Sequence, residues 1–276
     1  MSGHHATPGP ATGAGGKATP ATTSPAAGGR EPGAGSVTLV GAGPGDPSLI
    51  TLRGLEALRV AEVVVVDRLA PRELLDHCPP GVEVIDVAKR PGRHLVPQDG
   101  IDALLVERAR SGQAVVRLKG GDPFVLGRGG EEVQACRAAG VEVEVVPGVT
   151  SAVAVPAAAG IPVTHRGLAR GFSVVSAHED LISTVPARRD HTLVLLMGVT
   201  HLARSVSILL GRGADPLTPA AVVENGLRPE QRVTTTLLRC LSEVAASVGI
   251  AAPAVIVLGD VVTLGPDWDR RIVTGA

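Results

Sequence analysis

Short, unbroken runs of β-branched and aliphatic residues recur along the chain, each closed by a glycine, proline or charged break. Val37–Val40, Val63–Val66, Val84–Val87, Ala114–Leu118 and Val141–Val146 are the first five. Runs with so little polar alternation fit strands covered on both faces, the pattern of a parallel sheet. Between them the apolar positions change to helical spacing. Leu49, Leu52, Leu55 and Leu58 precede the second run, Gln98–Ser111 ends at Gly112, and Gly130–Ala139 ends at Gly140. A glycine just past a helical stretch suits the left-handed residue that closes a helix. Strand and helix alternate, which predicts βα units and a mainly parallel sheet.

The second half is less regular. Ser173–Ser176, Thr192–Leu196, Ala220–Val223, Arg232–Thr236 and Ala254–Leu258 read as strands, and Leu202–Leu210 and Leu238–Val248 as helices. Several links are short and hairpin-like, so a mixed sheet is expected. The boundary falls near Pro147–Ser151. The chain then divides into an α/β domain over 36–150 with a parallel sheet and an α/β domain over 151–276 with a mixed one. Residues 1–35 stand apart: they hold no Val, Leu, Ile or aromatic residue and are mostly Gly, Ala, Pro, Thr and Ser. Such a segment buries too little apolar surface to offset the entropy of ordering, and a disordered tail is expected.

Composition narrows the function. Lys plus Arg number 26 against 27 Asp plus Glu, for a net charge of -1. A protein that neutralises nucleic-acid phosphates carries a basic excess, and none is present. Phe124, Phe172 and Trp268 are the only aromatics, too few for base stacking. Cys78, Cys136 and Cys240 lie far apart, without the Cys/His spacing of a zinc site. That usage suits the reducing cytoplasm. No apolar run reaches the ~18 residues of a membrane span, and no signal-peptide core is visible. Nucleic acid, membrane and metal are therefore not expected as partners. The only lysines are Lys17, Lys89 and Lys119, which draws attention to the two that follow strands.

The unusual segments follow the strands of the first half. They are Gly41-Ala-Gly-Pro-Gly-Asp46, Asp67, Ala88-Lys89-Arg90, Lys119-Gly-Gly-Asp122-Pro123 and Pro147-Gly-Val-Thr150-Ser151. All sit at carboxyl ends, the edge of an open α/β sheet where ligands bind. The first loop departs from the dinucleotide fingerprint, with Asp46 in the place of the third glycine. A carboxylate there repels a pyrophosphate at the helix start. No P-loop pattern is present either. Two neutral-to-acidic glycine loops suit a ligand with hydroxyls, an amine and an amino-acid end, such as S-adenosylmethionine. Asp67 alone reads as either a general base or a cap ahead of Pro71 and Glu73, and Met197 as either a cofactor contact or a core filler. Glu131 and Glu132 open a helix and favour its dipole.

Longer motifs carry a resemblance. Val40–Asp46, Asp67-Arg-Leu69, Lys89-Arg90 with His94 and Pro97-Gln98, and Arg117-Leu-Lys-Gly-Gly-Asp-Pro-Phe-Val-Leu-Gly-Arg-Gly-Gly-Glu-Glu132 resemble the uroporphyrinogen-III C-methyltransferases of the tetrapyrrole methylase family. So do Val146–Ser151, Gly160–Arg166, Leu196-Met-Gly198 and Val223-Glu-Asn-Gly226. The resemblance runs from about Val37 to Val262. It implies two α/β domains with S-adenosylmethionine in the cleft between them and S-adenosylhomocysteine as its product. It implies Pro44, Gly120, Gly121, Asp122, Val125, Thr150, Ser151, Met197 and Gly226 as cofactor contacts, Asp67 as proton acceptor and Lys89 as proton donor. Arg117, Arg128, His165 and Arg166 are candidate contacts for the substrate's carboxylates.

The implied reaction is methylation of uroporphyrinogen III at two carbons, through precorrin-1 to precorrin-2, for sirohaem and cobalamin synthesis. Its pyrrole carbons are electron-rich enough to react without a metal. A cytoplasmic homodimer is also implied. No dehydrogenase–ferrochelatase or uroporphyrinogen-III synthase segment is recognisable, so a stand-alone methylase is expected. The rival readings are a methylase of the same fold acting on a later corrin precursor and a non-methylating nucleotide-binding α/β module.

Overall fold

The computed structural model describes residues 35–87, 96–177, 185 and 188–269. Residues 1–34 of the tail and Lys89, Arg90 and His94 lie outside these residues. In the first half the strands are β1 (Ser36–Gly41), β2 (Val63–Val66), β3 (Glu83–Asp86), β4 (Ala114–Lys119) and β5 (Glu142–Val146). They form a sheet in the order β3-β2-β4-β1-β5, with every pair parallel. Two central strands, β2 and β4, are buried along their whole length, as the unbroken apolar runs require. Helices α2 (Gln98–Arg110) and α3 (Gly129–Ala138) cover one face, where Ile101, Leu105, Val133 and Cys136 pack on Leu39, Val65 and Val115. Helix α1 (Leu52–Arg59) and the 3-10 helix Arg72–His77 cover the other, placing Leu58 and Leu74 against Val40, Val64 and Leu118.

The second sheet contains β6 (Phe172–Ser176), β7 (Thr192–Leu196), β8 (Pro219–Glu224), β9 (Arg232–Leu237) and β10 (Ala254–Leu258), in the order β6-β7-β10-β8-β9. Only β6 and β7 pair parallel; the other neighbours run antiparallel, making the sheet mixed. Helix α5 (Leu202–Gly211) and helix α6 (Leu241–Ser247) close one face with Leu202, Val206, Leu209 and Leu241. Helix α4 (Ser151–Ala158) closes the other with Ala152 and Val155 against Val194, Val223 and Val257.

Three departures from the sequence reading have physical causes. Helix α4 was not predicted, because Ser-Ala-Val-Ala-Val-Pro-Ala-Ala has no polar face and carries Pro156 inside it. The stretch from Leu49 to Arg59 breaks into a 3-10 turn, Pro47–Leu49, and α1. Asp46 caps the turn through Ser48 N (2.8 Å), and the Thr51 hydroxyl caps the helix through Gly54 N (3.1 Å). The predicted helix Leu238–Val248 likewise begins as a 3-10 turn over Leu238–Cys240 before α6.

Candidate active site

The carboxyl edge of the first sheet is built by close backbone contact. The loops after β1 and β4 bridge each other. Gly121 N donates to Gly43 O (2.7 Å) and Gly43 N to Gly121 O (3.3 Å). Asp122 ties this pair to the next strand end, its carboxylate accepting from Phe124 N (2.8 Å) and Gly148 N (3.0 Å). Gly121 adopts φ +71°, and a Cβ there would overlap nothing, meeting Ser151 N only at van der Waals distance (3.8 Å). That combination leaves room for a ligand against the backbone.

Above this edge lies a cavity of about 540 Å³, a usual size for a small-molecule site. The first half contributes Gly43, Pro44, Asp67, Gly120, Gly121 and Val125. The second contributes Ser151 and Val155 from α4, Leu196 and Met197 after β7, Val223, Asn225 and Gly226 after β8, and Ala252–Val255 entering β10. Gly226 is where the walls close tightest: a Cβ there would overlap the Val155 side chain. Among the described residues, five non-glycine residues have left-handed backbone, Leu126, Arg128, Met197, Asn225 and Leu227. The first four line the cavity. Strained backbone concentrated at one place is characteristic of functional sites.

Asp67 ends β2 and faces the cavity. Its Oδ1 accepts from Leu69 N (3.1 Å), Ala70 N (3.2 Å) and Gly120 N (3.3 Å), and its Oδ2 lies 3.9 Å from Arg117 Nη2. Cap and cavity-facing carboxylate are therefore one group. Beneath it is a buried ionic cluster. Glu132 on α3 is wholly buried; its Oε1 accepts from Arg117 Nε (3.0 Å) and Lys119 Nζ (3.0 Å). Its Oε2 also has Lys119 Nζ at 3.0 Å, outside hydrogen-bonding geometry. Gln98 Nε2 adds a longer contact to Oε1 (3.4 Å) and bonds Asp102 (2.8 Å). Burial, and then the neighbouring Arg117 charge, pull the Lys119 ammonium below the ordinary lysine value, and Glu132 and Asp67 only partly offset this. Cys136 lies in the core behind the cluster, where burial pushes its thiol up to about 11 and removes it as a nucleophile.

The sequence-predicted residues divide accordingly. Pro44, Gly120, Gly121, Val125, Ser151, Met197 and Gly226 line the cavity, with Asp67, Arg117 and Arg128. Asp122 and Thr150 do not line it; they shape it, Asp122 through the loop bonds above and Thr150 by capping α4 through Ala152 N (3.3 Å). His165 and Arg166 are exposed in a turn closed by His165–Ala169 backbone bonds and do not line it. Arg117 is 3% exposed and also donates to the Val65 and Leu118 carbonyls (both 3.3 Å). Arg128 grips Glu131 in a fork of 2.9 and 2.6 Å. Glu132, read from sequence as favouring a helix dipole, is the counter-ion of two buried cations. The sequence reading did not single out Arg68, Asn225 and Arg228, which the cavity also includes. Arg68 and Asn225 lie inside the motifs Asp67-Arg-Leu69 and Val223-Glu-Asn-Gly226, which gave the only local signal.

A parallel sheet whose glycine-rich edge is roofed by a mixed sheet, with one carboxylate facing the space between, defines a small-molecule transferase cleft and not a polyphosphate site. The chain belongs to the tetrapyrrole (corrin/porphyrin) methylases, whose family model matches residues 36–242. An S-adenosyl-L-methionine-dependent uroporphyrinogen III methyltransferase of Methanosarcina barkeri is 46% identical over 227 residues, covering 80% of this chain and 89% of that protein. The crystal structure of uroporphyrin-III C-methyltransferase from Thermus thermophilus complexed with S-adenyl homocysteine superposes with a TM-score of 0.71. The two are 44% identical, over 83% of this chain and 100% of that one. A siroheme synthase of Gluconacetobacter diazotrophicus is 44% identical over 236 residues, 83% of this chain but 49% of that protein. The chain thus spans about half the length of that relative.

Proposed function

We propose that the protein transfers methyl groups from S-adenosylmethionine to carbon atoms of uroporphyrinogen III, twice, giving precorrin-2. The observation that carries this reading is the cavity between the two sheets, which joins the glycine edge and Asp67 to the Met197 and Gly226 loops. The residues fit the cofactor: Gly121 offers an open backbone cradle, and the second half offers apolar wall at Leu196, Val223 and Val255. Pro44, Gly120, Gly121, Val125, Ser151, Met197 and Gly226 would hold it, with Asp122 and Thr150 fixing the loops. When bound, S-adenosylmethionine supplies an electrophilic methyl group.

The chain's own part is orientation and proton handling. Asp67 is held by three backbone N–H groups facing the cavity. It accepts the proton that the methylated pyrrole system loses as its conjugation is restored. Resemblance alone supports Lys89 as proton donor. The same reading divides the chain into lobes at 36–150 and 151–276; β5 ends at Val146 and α4 packs on the second sheet, which favours this division. It extends to a cytoplasmic homodimer serving sirohaem or cobalamin synthesis. Among the described residues no helix is long and apolar enough to cross a membrane.

Incubation with uroporphyrinogen III and S-adenosylmethionine tests the reaction. A product heavier by two methyl groups is expected, and an unchanged substrate mass would refute it. Light scattering that returned a single-chain mass at micromolar concentration would refute the dimer.

A further inference from the structure

Six charged residues line the cavity: Asp67, Arg68, Arg117, Lys119, Arg128 and Arg228. Their positive charges are not equally available. Arg117 and Lys119 are buried against Glu132, and Arg128 is forked to Glu131. Neither Arg68 nor Arg228 has a side-chain hydrogen bond or ion pair among the described residues. These two also line an adjoining groove of about 910 Å³, so they stand at the border between the two spaces. Arg68 follows Asp67 in the first half. Arg228 comes from the second half and lies over the first loop, its Cγ 3.4 Å from where a Cβ on Gly45 would stand. The Arg228 backbone is fixed: its N–H donates to Asn225 O (3.1 Å), and its carbonyl accepts from Gln231 N (3.0 Å). The groove itself is also lined by Asp46, Glu73 and Glu230 and by Arg72, whose guanidinium is paired with Asp86 (2.8 Å), so acid outweighs free base deeper inside it.

We propose that Arg68 and Arg228 form the carboxylate clamp of the substrate site, one guanidinium from each half, at the cavity's border with the groove. This rests on the uroporphyrinogen reading above, whose substrate carries eight carboxylates. Guanidinium matches carboxylate in a planar fork, and an uncommitted donor pair is what a polyanionic ligand requires. The clamp recognises the substrate's side-chain carboxylates. Arg117, buried against Glu132, is not available to it, and Arg128 shares its charge with Glu131 in an exposed pair.

Arg68→Gln, Arg228→Gln, the double variant and Arg59→Gln, an exposed arginine at the end of α1, test this by steady-state kinetics. KM for uroporphyrinogen III should rise ~10-fold in each clamp variant and ~100-fold in the double, with the loss falling on KM and not kcat. Affinity for S-adenosylhomocysteine by calorimetry should stay as in the wild type, which also reports intact folding. An unchanged KM in the double variant would overturn the clamp, as would an equal rise in Arg59→Gln. Direct binding keeps the two readings apart. Uroporphyrin III, with eight carboxylates, should lose affinity in the double variant, and coproporphyrin III, with four, should lose less. Equal binding of uroporphyrin III by wild type and double variant sinks the clamp, whereas a wild type that binds but never methylates sinks the reaction.

Discussion

The two halves meet the cavity in different chemical terms. The parallel sheet brings charge: β4 is buried along its length yet carries Arg117 and Lys119 toward its carboxyl end, neutralised by Glu132 from α3, with Asp67 above them. The mixed sheet brings mainly shape: Leu196, Val223 and Val255 are apolar, Met197 and Asn225 have left-handed backbone, and Arg228 is its one charged residue in the lining. A buried carboxylate under two cations is costly unless every member is present. An apolar wall tolerates change in proportion to volume. The proposed proton chemistry therefore falls to the first half, and the second roofs it.

Removing one charge should break the first half most severely. Glu132→Ala leaves Arg117 and Lys119 buried without their acid and should cost ~3–5 kcal/mol. Urea denaturation reads this, and a loss under about 1 kcal/mol would show that the cluster is hydrated. The second half should respond through packing. Gly226→Ala pushes a methyl into Val155 and should cost ~1–3 kcal/mol. The same variant should weaken S-adenosylhomocysteine binding measurably; unchanged binding would detach this loop from the cofactor. The smallest effect is on pH dependence. Lys119 has its folded-state value below the ordinary 10.5, chiefly through burial. Between the two values the unfolded chain holds more protons, so this group makes stability rise with pH as 10.5 is approached. Lys119→Met should remove that rise, seen as a difference in denaturation midpoint between wild type and variant that changes with pH in this window. A constant difference would contradict the assignment.

Much of this was legible in the chain. Val63–Val66, Thr192–Leu196 and Ala254–Leu258 coincide with β2, β7 and β10, because buried strands must be apolar on both faces. The glycine loops could be placed on one edge from strand order alone. What could not be read needed side chains distant in sequence to meet. Arg117 and Glu132 are fifteen positions apart, and only the packing of α3 over β4 brings them together. Arg228 is invisible for the same reason, since its place over Gly45 depends on the second sheet meeting the first. Helix α4 was hidden by its own composition: its exposed positions, Val153, Ala157 and Ala158, are as apolar as its buried ones, so no polar face gives it a period.

The division of labour between the halves is tested most directly at Asp67. Asp67→Asn keeps the size and one oxygen for the backbone N–H groups while removing the base. Turnover of uroporphyrinogen III should fall by at least ~100-fold, with the melting temperature and S-adenosylhomocysteine affinity close to wild type. Near-normal turnover in Asp67→Asn would contradict the account and leave Asp67 as a cap on the glycine loop.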